Sequence, residues 1–241
     1  MAGRSVLITG GGGGIGVALA SAFAAEGDRV AVADIDPERA ERAARAISGI
    51  GITLDITDQL SVAAALDTVG NVDVLVNNAG VLNLHGPVLE LPVSDFDAIF
   101  AVNVHGTFMV TQAVARQMVA RGCGGVIVNI SSIGARQPTP GMGAYESSKA
   151  ALDQMMRWAA VELAPHGIRV NAVAPGPVLT PMLEQALPEG STGRERWAAR
   201  IPLGRLAAVD DVAAAAVFLA GDSAAHITGV SLAVDGGQLL T

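Results

Sequence analysis

Short runs of consecutive apolar residues alternate along this chain with longer stretches in which apolar positions return every three or four residues. The runs fall at residues 6–8, 29–34, 50–54, 72–76, 126–130, 168–173 and 230–234. Runs of this length, rich in Val and Ile and bounded by Gly, Asn or Pro, predict strands buried on both faces. Helical spacing predicts helices over residues 15–23, 38–47, 61–69, 94–121, 145–164 and 210–220. Thr57 or Asp58 is placed to cap the third-strand exit into the 61–69 helix. Residues 133–143, with two prolines and three glycines, read as a loop. Residues 182–200 are more polar, and their composition suits a mobile substrate lid.

Strands that alternate with helices imply an α/β fold. The expected architecture is a doubly wound, parallel, seven-stranded sheet with helices on both faces, in three α/β/α layers. No repeat, linker or composition break divides the chain, so one domain is expected over residues 1–241. In such sheets ligands gather at the carboxyl ends of the strands. Each polar motif follows a strand at that end: the glycine tract after residue 9, Asp34, Asp55-Ile56, Asn77-Asn78-Ala79-Gly80, Ser131-Ser132 and Pro175-Gly176.

Composition narrows the field. Of 241 residues, 51% are hydrophobic and only 3% aromatic, so the core must be built from Ala, Val, Leu and Ile. The net charge is −8 and there is no Lys/Arg-rich block, which argues against nucleic acid or an anionic membrane as partner. Cys123 is the only cysteine, which excludes an internal disulfide and fits a reducing cytosol. His85, His105, His166 and His226 are scattered without metal-ligand spacing, and no metal site is expected. Residues 5–25 superficially resemble a secretory leader, but five consecutive glycines would break its apolar helix. No other run approaches membrane-spanning length, and a cytoplasmic protein is expected.

Strand, glycine tract and helix at residues 6–23 form the context that makes a glycine pattern a dinucleotide-binding candidate. Glycines admit a pyrophosphate close to the backbone, and the helix N-terminus offers it unpaired N–H groups. The five-glycine run leaves two registers open, Gly11-x-Gly13-x-x-Gly16 and Gly10-x-x-x-Gly14-x-Gly16. Asp34 ends the second strand eighteen residues after Gly16. A carboxylate there can accept from the adenosine ribose hydroxyls and would repel a 2′-phosphate. No basic residue stands at 35–37 and Gly13 is not basic, so NAD is favoured over NADP.

The chain uses arginine fourteen times and lysine once, and its single Lys149 follows its single Tyr145 by four residues. On a helix that spacing puts ammonium and phenol on one face, about 5–6 Å apart at Cβ. A phenol is a poor base at neutral pH, and lowering its pKa by about 2 units requires about 2.7 kcal/mol. A nearby cation in a partly buried site can supply that much. Lysine does so as a compact, rotatable point donor, which the planar arginine fork is not.

Taken together, these motifs resemble the short-chain dehydrogenase/reductase family over essentially the whole chain. Thr9-Gly10-x-x-x-Gly14-Ile15-Gly16 looks like its cofactor loop, which selects the second glycine register. Asn77-Asn78-Ala79-Gly80 is similar to its fourth-strand motif, Ile227-Thr228-Gly229 and Val234-Asp235-Gly236-Gly237 to its C-terminal signature. Asn103, Ser132, Tyr145 and Lys149 match its catalytic tetrad. The resemblance implies a Rossmann-like fold and a cofactor site of Gly10, Gly12, Gly13, Gly14, Ile15, Gly16, Asp34 and Ile35. Asp55 and Ile56 extend it on the adenine side, and Asn78, Ala79 and Gly80 of the fourth-strand motif belong to it. Tyr145, Lys149, Pro175, Gly176, Val178 and Thr180 complete it on the nicotinamide side. Ser147 stands where the family often has Ala, a departure of little expected effect.

The implied activity is hydride transfer between NAD and a secondary alcohol or ketone, such as a polyol or small hydroxy compound. Tyr145 would be general acid/base, with its pKa lowered by Lys149 and the cofactor's charge. Lys149 would also hold the nicotinamide ribose. Ser132 would bond the substrate oxygen, and Asn103 would hold a water that links Lys149 to solvent. Two alternatives are an NADPH-dependent ketone or 3-oxoacyl reductase, which Asp34 counts against, and a non-catalytic dinucleotide-binding regulator, which the intact tetrad counts against. The small-molecule substrate would sit among residues 81–86, 133–142 and 182–197. Arg136, Gln137 and His85 lie there but read first as loop residues facing water. A homotetramer, or a homodimer, is implied, with the helix over 146–164 suited to the interface.

Overall fold

Every residue of the first strand, β1 (Ser5–Thr9), is buried, which is why its apolar run shows no alternation. The coordinates are a computed structural model that describes residues 3–82, 85–186 and 189–241. In chain order follow α1 (Gly14–Ala25), β2 (Arg29–Asp34), α2 (Pro37–Ala46), β3 (Ile50–Thr53), α3 (Gln59–Val69) and β4 (Val74–Asn77). Next come α4 (Val93–Phe100), α5 (Thr107–Arg121), β5 (Gly125–Ile130), α6 (Gly143–Leu163) and β6 (Ile168–Pro175). The chain continues through β7 (Val178–Leu179), α7 (Pro181–Ala186), α8 (Thr192–Ala198), β8 (Ala207–Ala208), α9 (Val209–Ala220) and β9 (Ser231–Val234).

Seven strands form one parallel sheet in the order β3-β2-β1-β4-β5-β6-β9. The order reverses between β1 and β4, the switch point at which such sheets open a crevice. Alternate side chains feed two cores. Val6, Ile8, Leu19, Phe23, Val212 and Leu219 pack together under α1 and α9. Leu7, Leu75, Val110, Met118, Ile127 and Met156 pack under α5 and α6. Register aligns Thr9 with Asn77, and Asn77 with Asn129. The strand ends that carry the polar motifs therefore reach one level.

Four local features differ from the sequence expectation. The helix expected over residues 94–121 is interrupted by a π-helical turn at Ala101–Gly106, which carries Asn103. Residues Val93–Arg121 are long and apolar enough by composition to cross a membrane, contrary to the expectation that no second run would be. In the fold they pack instead on the sheet and neighbouring helices through Ile99, Val110, Val114 and Met118, all buried. Helix α6 begins at Gly143 rather than at Tyr145, so the tyrosine is inside the first turn. The polar stretch 182–200 contains two short helices, and the segment before it pairs in a small parallel ribbon, β7 with β8. Residues 83–84 and 187–188, parts of the expected pocket and lid, lie outside the described residues.

Candidate active site

The glycine tract turns from β1 into α1. Gly10 has φ +60°, and a Cβ on it would stand 2.7 Å from Ala79 Cα. A Cβ on Gly16 would run into the carbonyl oxygen of Gly10 and stand 2.7 Å from Gly11 Cα. These two positions fold the tract tightly on itself. Gly14 leaves room for Thr180 and Pro181, whose side chains would be 3.0–3.3 Å from its Cβ. The chain after β6 therefore passes directly over the start of α1. Gly13 is the N-cap of α1, and the only atom near its would-be Cβ is Gly10 O at 3.7 Å.

Thr9 braces the tract from behind. Its hydroxyl oxygen accepts from the backbone N–H of both Asn78 and Ala79 at 3.1 Å. The Asn78 amide donates back to the carbonyls of Thr9 (3.1 Å) and Gly10 (2.8 Å). Asn78 thus acts through the loop it holds. Neighbouring Asn77 is buried and donates to Thr111 Oγ1 (2.9 Å) and Asn129 Oδ1 (2.8 Å), which fixes the strand end.

At the adenosine end, Asp34 is buried and accepts from Gly12 N (3.0 Å) and Asp36 N (3.1 Å). Ile35 beside it is 68% exposed, an apolar surface facing outward. Asp55 accepts from both the N–H and the hydroxyl of Thr57, at 2.8 and 2.6 Å. Ile56 is buried, its side chain under Gly106, where a Cβ would meet it at 2.7 Å. Arg39, absent from the sequence expectation, brings its stem against Gly12 and its guanidinium to 3.2 Å from Asp36. The signal was within reach: a basic residue in the first turn of the helix that follows an Asp34-type strand end.

The four tetrad candidates come together at the ends of β4 and β5. A Cβ on Gly80 would lie 3.2 Å from Asn103 Oδ1 and 3.6 Å from Lys149 Nζ. Lys149 is buried and donates to the Ile130 carbonyl at 2.8 Å, its ammonium 5.6 Å from the Tyr145 ring centre. Ser132 caps the turn Ile133–Ala135 by accepting from Gly134 N at 3.0 Å, and its hydroxyl bears on the Tyr145 phenol. Pro175 ends β6, and Gly176 just beyond it donates its N–H to the Val234 carbonyl at 3.0 Å. Val178 is buried, and Thr180 faces Gly14.

The protein's own electrostatics run against the expected lowering of the Tyr145 pKa. Burial pushes the Tyr145 phenol above its ordinary value; the Ser132 hydroxyl works downward, and adjacent Glu146 pushes it further up. Within the protein alone, desolvation disfavours the phenolate more than its neighbours favour it. Burial pushes Lys149 down to about 8, against the opposing pull of Asp153. The Asn103 side chain makes three hydrogen bonds within the protein. Its oxygen accepts from Val81 N (2.8 Å), and its amide donates to the Val81 carbonyl (3.1 Å) and to Ser148 Oγ (3.0 Å). Asn103 clamps the loop after β4 to α6.

Sequence reasoning also passed over Glu146, which is buried and accepts from Thr139 N at 2.8 Å, tying the loop after Ser132 to α6. Nothing in the local pattern separates it from an exposed glutamate in a first turn.

Fold and crevice define a nucleotide-binding α/β protein with a phenol, an ammonium, a hydroxyl and an amide gathered at the ends of β4 and β5, beside the sheet's switch point. A family model described as enoyl-(acyl carrier protein) reductase matches residues 11–238. The sorbitol dehydrogenase of Cereibacter sphaeroides is 40% identical over 254 residues, covering 99% of this chain and 98% of the relative. The L-rhamnose 1-dehydrogenase (NAD(P)(+)) of a Sphingomonas species is 42% identical, covering 98% of this chain and 96% of the relative. The crystal structure of a Brucella melitensis 3-ketoacyl-(acyl-carrier-protein) reductase complexed with NADH superposes with a TM-score of 0.90. It is 36% identical, and 98% of each chain is covered. The chain belongs to the short-chain dehydrogenase/reductase family.

Proposed function

We propose that the protein is an NAD-dependent dehydrogenase that moves a hydride between nicotinamide and a secondary alcohol, with polyols and small hydroxy compounds as substrate class. The observation that carries this reading is the buried Lys149 ammonium 5.6 Å from the Tyr145 ring centre, anchored on the end of β5, two strands from the glycine tract. The residues fit a dinucleotide: Gly10 and Gly16 admit no Cβ, and α1 opens at Gly13 with no side-chain cap on its first N–H groups. A bound nicotinamide supplies the hydride acceptor or donor. Tyr145 takes the alcohol proton in oxidation and returns it in reduction. Ser132 donates to the oxygen on which charge develops, and Lys149 keeps a positive charge beside the phenol. Gly10, Gly12, Gly13, Gly14, Ile15 and Gly16 cradle the pyrophosphate. Asn78 holds that cradle from behind.

NAD is preferred because Asp34 presents a fixed carboxylate where a 2′-phosphate would stand. The NADPH-dependent reductase is the second reading, and Arg39 against Gly12 is the observation that favours it. Residues 182–200 serve as the substrate lid. The protein works in the cytoplasm as one domain. An apolar groove of about 400 Å³ between α5 and α6, lined by Phe108, Ala115, Met155 and Trp158, supports pairing with a second copy on the way to a homotetramer. The test is a screen of alcohols and ketones with both cofactors, read by absorbance of reduced nicotinamide. Tyr145→Phe should lower kcat by at least ~100-fold and leave NADH affinity near normal; retained turnover would refute the assignment.

A further inference from the structure

Helix α6 carries three ionisable side chains on one face at successive four-residue steps: Tyr145, Lys149 and Asp153. The third has no part in the chemistry described above. Asp153 is only 2% exposed, and neither carboxylate oxygen has a hydrogen-bond partner among the described residues. An unpaired buried carboxylate is strongly disfavoured, so its retention needs a compensating charge. Arg136 faces it, and the Asp153 charge acts on Lys149. Lys149 stands one turn earlier on the same helix. Arg136, on the loop that follows Ser132, brings its guanidinium to 4.0 Å from Asp153 and donates to the Ser231 carbonyl at the start of β9. The buried Ser231 hydroxyl oxygen also lacks a partner among the described residues. Two elements that meet at the reacting atoms, the Ser132 loop and the Lys149 turn, thus converge on one carboxylate.

We propose that Asp153 is a positioning residue of the active centre, a buried counter-charge that acts on it through Lys149 and Arg136. The proposal rests on the assignment of Tyr145 and Lys149 above. Its physical basis is charge balance. Buried Lys149 has one described hydrogen-bond acceptor, the Ile130 carbonyl, and burial works against its charge. Asp153 offsets that desolvation, while Arg136, 4.0 Å away, competes for the same carboxylate. Glu146 faces the Ser132 loop from the start of α6 and is engaged with Thr139 N. It bears on Tyr145 rather than on Asp153.

Single occurrences in the sequence make the test site-specific. Lys149 is the only lysine, so nitrogen-15 lysine labelling of the full chain gives one side-chain amine signal to titrate. Tyr145 is the only tyrosine, so near-ultraviolet tyrosinate absorbance reports that phenol alone. The amine of the unmodified protein should titrate near 8. In Asp153→Asn its midpoint should fall by about one unit, and in Asp153→Glu it should stay close to the unmodified value. The alkaline limb of kcat/KM should move down with the amine in Asp153→Asn. If Asp153→Asn does not fold, Arg136→Met decides: loss of the competing cation should move the amine midpoint upward. An amine midpoint unchanged in folded Asp153→Asn, or unmoved in Arg136→Met, overturns the proposal. The assignment of Tyr145 would survive that result, because Tyr145→Phe tests it separately.

Discussion

The side-chain amide of Asn103 donates to Ser148 Oγ at 3.0 Å, and Ser148 Oγ donates to the backbone carbonyl of Tyr145 at 2.6 Å. A π-helical turn and the helix of the reactive phenol are joined through one hydroxyl. The same amide group grips both polar atoms of the Val81 backbone. Asn103→Ala would strand these groups in a buried site, at about 1–3 kcal/mol for each one left unpaired. Denaturant unfolding followed by tryptophan fluorescence should show a loss of at least about 2 kcal/mol, together with lower kcat/KM. Asn103→Asp keeps the acceptor for Val81 N and loses both donors, so it should fall between the two.

The glycine tract is not uniformly intolerant. Gly16→Ala places a methyl group against Gly10 O and Gly11 Cα, and overpacking of this kind costs about 1–3 kcal/mol. Gly13→Ala meets nothing closer than 3.7 Å and keeps an ordinary φ of −94°. Its stability should change by less than about 0.5 kcal/mol. Thermal unfolding of the two variants side by side, with NADH titration, should separate them; equal destabilisation would contradict the tract geometry.

Lys149 gives a pH signature of stability. Burial lowers its pKa from 10.5 to about 8, so between those values the unfolded chain holds a proton that the folded chain has released. Stability from this group therefore rises as pH goes from about 8 to 10.5, and below 8 a charged buried amine weighs against folding. Lys149→Met should be more stable than the unmodified chain by about 2–3 kcal/mol at neutral pH, although inactive. The difference should shrink across that window. A constant difference would mean that the amine is not desolvated.

Trp158 is 48% exposed on α6 and stacks on Phe108 of α5, ring centres 5.9 Å apart. Large aromatics left half open beside an apolar groove suit a surface that another copy covers. Trp158→Glu should reduce the assembled mass, measured by size exclusion with light scattering, and leave NADH affinity within a few-fold. An unchanged mass would place the interface elsewhere.

Much of the site was legible because its signals are local. Asp34 at a strand end, Gly10 and Gly16 around a turn, and Tyr145 with Lys149 at one helical turn are each read within a few residues. Asn103, Glu146 and Asp153 show the opposite. Each sits in a helical pattern where a polar residue ordinarily faces water, and each is buried. Asn103 finds its partners 22 and 45 residues away, and Glu146 binds a loop turned back over it.

The sequence by itself determined the alternation of strands and helices, the carboxyl-end placement of the polar motifs and the glycine turn, because backbone sterics and side-chain period act over short separations. The tertiary structure alone decided which polar side chains lose their water. It set the Asn103 clamp, the raised phenol, the lowered ammonium and the unpaired Asp153, because desolvation depends on what the rest of the chain stacks around a group.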